Sequence, residues 1–114
     1  MVIHRNEMKI EQKEKMRDGE GTVTITRFVD GGTMQNARML AELSLPSGAS
    51  IGYHQHNNET EYFTFISGTG TANDNGKEIS VRPGDVMVTG NGACHSIKNT
   101  GTETLVIHAV IITH

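Results

Sequence analysis

From residue 22 onward, turn residues recur about every ten positions, and short runs rich in β-branched and aromatic side chains fill the gaps. The runs are 22–29, 37–45, 50–54, 61–67, 69–73, 77–81, 86–89, 94–98 and 104–112. Between them stand breakers such as Asp30-Gly31-Gly32, Pro46-Ser47-Gly48, Arg82-Pro83-Gly84-Asp85, Gly90-Asn91-Gly92 and Asn99-Thr100-Gly101. Asp74-Asn75-Gly76 is the strongest hairpin signal, because Asn and Gly tolerate the positive φ that a tight turn demands. The run 37–45 alternates, with Met39, Ala41, Leu43 and Leu45 on one face and Arg38, Glu42 and Ser44 on the other. Nine short strands spaced this way imply an all-β sandwich or barrel. A chain of 114 residues holds one hydrophobic core, and neither a repeat nor a linker divides it.

The last run breaks the alternation. Leu105, Ile107, Ala109 and Ile111 lie on one face, and Val106, Val110 and Ile112 on the other. An antiparallel strand with one wet face would alternate, so both faces call for cover. A twofold partner is the commonest source of a second layer, and a homodimer is expected, with the amino-terminal segment as intramolecular competitor. That segment, residues 1–20, is polar and reads as a solvated lead-in to a single domain at 21–114. Met8, Ile10 and Met16 are spaced so that one short amphipathic helix is allowed there.

Charge restricts the partners. The formal net charge is −3. Arg5, Lys9, Lys13, Lys15 and Arg17 are balanced by Glu7, Glu11, Glu14, Asp18 and Glu20. The rest of the chain has more acids than bases, so no basic stripe exists to displace counterions from a nucleic acid. No apolar run approaches the roughly twenty residues of a membrane helix, and no apolar secretion segment follows a basic start. A soluble, cytoplasmic protein is expected. The single cysteine, Cys94, excludes an internal disulfide and the paired thiolates of common structural zinc sites.

The chemistry lies in the histidines. His54 and His56 are two apart on a strand, so both imidazoles point to one face. Glu61 opens the next strand after a polar loop and shares its face with Phe63 and Phe65, and His95 begins a later strand behind a glycine-rich turn. Three imidazoles and a carboxylate suit manganese, iron, cobalt, nickel, copper or zinc, with no thiolate needed. A histidine pair on a strand is also found without a metal, so the pair alone does not decide.

The spacing of these residues resembles that of the cupins. Gly48, His54, His56, Glu61 and Gly68 stand at the positions of the first cupin motif, and Gly84, Gly90, Gly92, His95 and Asn99 follow the second. Gly90 departs from it, since the family usually has proline there. Fifteen residues separate Gly68 from Gly84, as in small bacterial cupins, and oxalate decarboxylase-like small cupins are the nearest lead. The resemblance implies a small jelly-roll barrel of two antiparallel sheets, often dimeric. His54, His56, Glu61 and His95 would ligate one divalent transition metal ion per chain. Gly48, Gly68, Gly84 and Gly92 would be turn or close-approach glycines, and Asn99 would cap a turn.

Two function classes follow. The first is a metal-dependent enzyme, an oxygenase, decarboxylase or isomerase, acting on a small polar or carboxylate metabolite. The second is a non-catalytic small-molecule binding or sensing module, in which the metal holds a ligand or the barrel; four ligands closing tetrahedrally on zinc would make it purely structural. Glu59 is a candidate gate or proton donor, against a solvated loop acid. His108 is a candidate second-layer or proton-transfer group, against a core histidine. Arg38 is a candidate partner for a substrate carboxylate, against a solvent-exposed pair on the face it shares with Glu42 and Ser44; Tyr53 and Tyr62 read as packing residues, and Cys94 as an inert thiol aimed away from the ligand face.

Overall fold

The computed structural model describes residues 1–114. Ten strands form it: β1 (Lys9–Glu14), β2 (Thr22–Arg27), β3 (Ala37–Leu45), β4 (Ser50–Gln55), β5 (Glu59–Ser67), β6 (Gly70–Asp74), β7 (Lys77–Val81), β8 (Val86–Gly90), β9 (Cys94–Lys98) and β10 (Leu105–Thr113). They make two antiparallel sheets, one of six strands in the order β1-β2-β3-β10-β5-β8 and one of four in the order β4-β9-β6-β7. This is the jelly-roll expected from the sequence. No helix is long and apolar enough to cross a membrane.

Alternation builds the core. Met39, Ala41, Leu43 and Leu45 of β3, Phe63 and Phe65 of β5, and Leu105, Ile107, Ala109 and Ile111 of β10 all face the other sheet and are buried. Full burial of a large apolar side chain contributes about 1.5–3 kcal/mol, so these three adjacent strands anchor the domain. β10 lies between β3 and β5, the most enclosed place in the sheet. Its second face, Val106, Val110 and Ile112, is half-buried.

The amino-terminal segment differs from the reading above: it carries a strand, not an amphipathic helix. β1 pairs with β2 from Lys9↔Arg27 to Glu14↔Thr22 and extends the six-stranded sheet. Almost every β1 side chain is exposed, so no apolar period announced it. The free edge of β2 holds it, together with cross-strand pairs: Arg27 Nε donates to Glu11 at 2.9 Å, and Thr24 Oγ1 to Gln12 Oε1 at 3.1 Å.

Two bulges re-aim side chains. In β4, Ile51 faces Ile97 but the next pair is His54↔His95, so β4 carries one extra residue at Gly52-Tyr53. Without it, Ile51 and His54 would point to opposite faces; with it, both point inward. In β3, Met39 faces Ile111 and Ala37 faces Ile112, which leaves Arg38 as the unpaired residue of a second bulge.

Gly68 has φ +79° and would bring a Cβ within 2.4 Å of the Thr104 carbonyl, so both backbone and space require glycine. Gly48, Gly84 and Gly92 have positive φ but no tight neighbour. Gly90, where the family pattern has proline, lies against Thr60: a Cβ would stand 2.4 Å from Thr60 Oγ1. That hydroxyl bonds His114 Nε2 at 2.8 Å, so the space a proline would fill is taken by the Thr60 side chain.

Asn99 is 1% exposed and closes the turn after β9. Its amide donates to the Leu45 and Glu103 carbonyls, both at 2.8 Å, and its oxygen accepts from Gly101 N–H at 3.0 Å. Asn99→Ala leaves these groups unpaired in an apolar setting and is expected to cost about 2–3 kcal/mol in urea unfolding. A loss below about 0.5 kcal/mol would show that the turn closes without it.

Candidate metal centre

Each member of the histidine–carboxylate set comes from a different constraint of the fold. His54 is aimed inward by the β4 bulge and faces His95 across the β4–β9 pair. His56 lies just past β4, where its N–H donates to the Ala93 carbonyl and its own carbonyl accepts from Gly92. Glu61 sits in β5 opposite Ile111 on one side and Thr89 on the other. His56 and His95 are each 1% exposed, and Glu61 is 5% exposed.

Their donor atoms converge, all within 4.8 Å of one another. His56 Nε2 stands 3.1 Å from both His54 Nε2 and His95 Nε2. Glu61 Oε1 stands 3.0 Å from His56 Nε2 and 3.0 Å from His95 Nε2. The opposite nitrogens fix the ring orientations. His54 Nδ1 donates to the Gly52 carbonyl at 2.7 Å, His56 Nδ1 donates to the Glu59 carboxylate, and His95 Nδ1 bonds the Thr89 hydroxyl at 2.8 Å. A carbonyl and a carboxylate only accept, so His54 and His56 carry protons on Nδ1. The ring of His95 is also stacked on Phe63, with centroids 4.9 Å apart.

Burial pushes His54 down to about 4, helped by the neighbouring imidazoles, so its Nε2 is a bare lone pair at neutral pH. Burial opposes charge on His56, but the Glu61 and Glu59 carboxylates outweigh it and raise its pKa above the ordinary histidine value. Burial would likewise raise Glu61, and hydrogen bonds from His56 and His95 overcome it and hold the group below the usual carboxylate value. The bare nitrogen of His54 and the Glu61 carboxylate therefore share one small space with the His56 and His95 rings, and a cation is what such a set accommodates.

The distances fit one ion. Donors about 2.1 Å from a metal stand about 3.0 Å apart at adjacent corners of an octahedron and about 3.4 Å apart in a tetrahedron. The observed 3.0–3.1 Å spacings lie in the range of donors that share one ion. The three imidazole centroids are 4.8, 4.7 and 4.8 Å apart, the pattern of three rings on one triangular face. Glu61 stands next to His56 and His95, so the four residues would hold one ion between them.

A cavity of about 40 Å³ opens on this cluster, walled by Met39, Leu43, Ile51, Phe63 and Ile111, with Met16, Arg17 and Arg38 at its mouth.

Residues 41–111 match the cupin domain family. The chain belongs to the cupins. This cupin is 40% identical over 113 residues to an oxalate-binding protein of Thermotoga maritima, covering 98% of this chain and 93% of the relative. A Thermotoga maritima structure described as a predicted oxalate decarboxylase superposes over the whole of both chains with TM-score 0.93 at 37% identity. The fold is shared more widely. A putative sugar phosphate isomerase of Acidithiobacillus ferrooxidans gives TM-score 0.81 at 24% identity over 99% of this chain and 75% of that one. A polyketide cyclase of Streptomyces resistomycificus gives 0.75 at 18% over 99% and 78%. The fold thus hosts several chemistries, and the site must choose among them.

Three expected placements change. Arg38 does not join the Glu42 face: the bulge turns it to the cavity mouth, where Nε and Nη2 clamp Glu59 at 2.6 and 2.8 Å. Glu59 is therefore no solvated loop acid. The Arg38 bond, with help from His56, holds its carboxyl at about 2, which leaves no proton to donate near neutral pH. His108 is carried away from the cluster. It lies on the outer face of β10, bonded to Glu42 at 3.1 Å and edge-on to Phe28, and has no path to the cavity. The sequence reading does not point to Thr89 or Gly52; the signal for Thr89 is its register opposite Glu61, and for Gly52 its place two residues before His54.

Replacing His56 with Ala is expected to remove most bound metal on elemental analysis, since His56 stands adjacent to all three other donors. Glu59→Gln keeps four donors but loosens the His56 ring, and about tenfold weaker metal binding is expected in chelator competition; unchanged affinity would contradict that positioning. The same variant has a pH signature without metal. Glu59 sits at about 2 in the fold against 4.5 for the free group. Its contribution is complete above about 4.5 and lost as pH falls through about 2. The melting temperature of Glu59→Gln should lie below wild type at pH 7, and the gap should close on acidification from 4.5.

Proposed function

We propose that this cupin holds one divalent transition metal on His54, His56, Glu61 and His95 and binds a small dicarboxylate of the oxalate class there. What supports the ligand class is the pairing of a cavity of only about 40 Å³ with a site of positive charge. A divalent ion on one carboxylate and three neutral imidazoles would keep one net positive charge, and an ion that takes more than four donors would have room for an anionic oxygen ligand. The metal would supply Lewis acidity, neutralising the ligand's oxygens. So small an opening favours a compact anion over a sugar or an aromatic acid. The name of the Thermotoga relative, oxalate-binding protein, agrees.

The chain's own residues orient and enclose. Gly52, Glu59 and Thr89 fix the three imidazoles, Arg38 immobilises Glu59, and Phe63, Met39 and Ile111 exclude water. Decarboxylation or isomerisation would also require a group that gives or takes a proton beside the ligand. Glu59 is ionised and tied at both oxygens, and His108 is on the far face. The arrangement favours binding over turnover. A decarboxylase is the second reading, favoured by the description of the Thermotoga structure.

Calorimetry on Mn²⁺-loaded protein is expected to give one oxalate per chain with Kd of about 1 mM or tighter. No heat of binding would reject the ligand class, and sustained release of formate would put the enzyme reading first.

We also propose that two copies meet through the outer face of the six-stranded sheet. Arg5 lies over Phe28 and pairs with Glu42, so the amino-terminal segment covers the β2–β3 side only. Beyond it Val106 and Val110, on either side of His108, continue into the exposed and apolar Tyr62, Ile66, Val86 and Val88. Such a patch suits a second copy of itself. Sedimentation at micromolar concentration should give twice the chain mass, and Val88→Asp should give the monomer; a monomeric wild type would contradict the pairing.

A further inference from the structure

The cavity mouth holds two arginines that the fold treats differently. Arg38 is spent on Glu59, with two nitrogens bound to its two oxygens. Arg17 makes no side-chain hydrogen bond and no ion pair, although it lines the same cavity as His54, His56 and Glu61. Five acids share the first twenty residues with it, yet none approaches.

The backbone around Arg17 is built for one position. Lys15, Arg17 and Asp18 all have positive φ, at 50°, 53° and 64°, which non-glycine residues seldom adopt. The contacts of residues 15–21 with β4 hold this conformation. Lys15 N–H donates to Gly21 O, Ser50 N–H to Glu20 O, and Glu20 N–H to Ser50 Oγ. The Arg17 carbonyl lies so close to Gly52 that a Cβ there would come within 1.9 Å of it. Gly52 belongs to the bulge that aims His54, and its own carbonyl takes the His54 Nδ1 proton. Met16, on the same turn, packs against the core. One side chain of the turn is thus anchored, one is left free at the opening, and the turn is in register with a residue of the metal cluster.

We infer that Arg17 is the specificity-determining residue for an anionic ligand: the turn 15–19 holds its guanidinium over the metal cavity, where it pairs with a carboxylate oxygen of a bound dicarboxylate. The inference rests on the proposed function and adds the residue that reads the ligand's charge. An unpaired guanidinium at a narrow mouth both draws an anion in and offers it a planar, two-pronged partner. Arg38, already neutralised by Glu59, serves the histidine.

The test is oxalate titration of the Mn²⁺-loaded full chain as wild type, Arg17→Gln and Arg17→Lys, with metal content measured before and after each titration. Arg17→Gln is expected to weaken oxalate at least tenfold while keeping its metal. Arg17→Lys, which restores charge without the fork, should recover part of the loss. Oxalate affinity should fall less steeply with added salt in Arg17→Gln than in wild type, a readout that a merely structural turn would not move. Equal affinity in wild type and Arg17→Gln would overturn the role of Arg17 and leave the proposed function standing. A wild type that keeps its metal but takes no oxalate would overturn both. Loss of metal in Arg17→Gln that Arg17→Lys does not restore would make the turn a support for His54 and would also overturn the inference.

Discussion

Four electron-pair donors are forced into one apolar space, and most of the chain can be understood as holding them there. Glu61 and the buried imidazoles lie in a wall of Phe63, Met39, Leu43 and Ile111, where an unpaired charge or polar atom is costly. Each imidazole satisfies its outer nitrogen on a partner that the backbone or a neighbouring strand supplies, and that settles which nitrogen turns inward. Once the outer nitrogens are committed, the inner ones can be reconciled only by a proton or a metal ion. The raised pKa of His56 is the first solution, and a bound ion is the second.

The irregular parts of the sheets serve the same end. An unbroken β4 would turn either Ile51 or His54 away from the interior; the extra residue at Gly52-Tyr53 lets one fill the core and the other join the cluster. The bulge in β3 brings Arg38 around to Glu59, which in turn fixes His56. The amino-terminal turn lies on Gly52, so the segment farthest from the cluster in sequence forms its rim. A regular sandwich of the same strands would have the core without the site.

Much of this was legible in the sequence, for physical reasons. β2 to β10 alternate or carry β-branched residues between glycine and asparagine turns, and their ends shift by one or two residues only. The ligand set was legible because i, i+2 spacing on a strand has a single geometric meaning, and the two cupin motifs fixed the order of its members. What stayed hidden has no periodic signature. β1 is held by an edge and by polar pairs, so its sequence reads as a solvated segment. The bulges break the very alternation that sequence reasoning uses, and so Arg38 was assigned to the wrong face. Glu59 read as a loop acid because neither Arg38 nor the His56 ring nitrogen is near it in a way that spacing alone reveals. His108 faces outward by the alternation of β10, and its partners Glu42 and Phe28 come from strands that a one-dimensional reading cannot bring together.

His54, His56, Glu61 and His95 would together hold one divalent ion and leave it open to an anionic ligand. X-ray absorption at the metal edge of protein loaded with one equivalent of Mn²⁺ tests this most directly. Nitrogen and oxygen donors at about 2.1–2.2 Å, imidazole scattering from three rings, and a change in the metal's surroundings when oxalate is added are expected. Fewer than three imidazoles, or a spectrum that oxalate leaves unchanged, would contradict this.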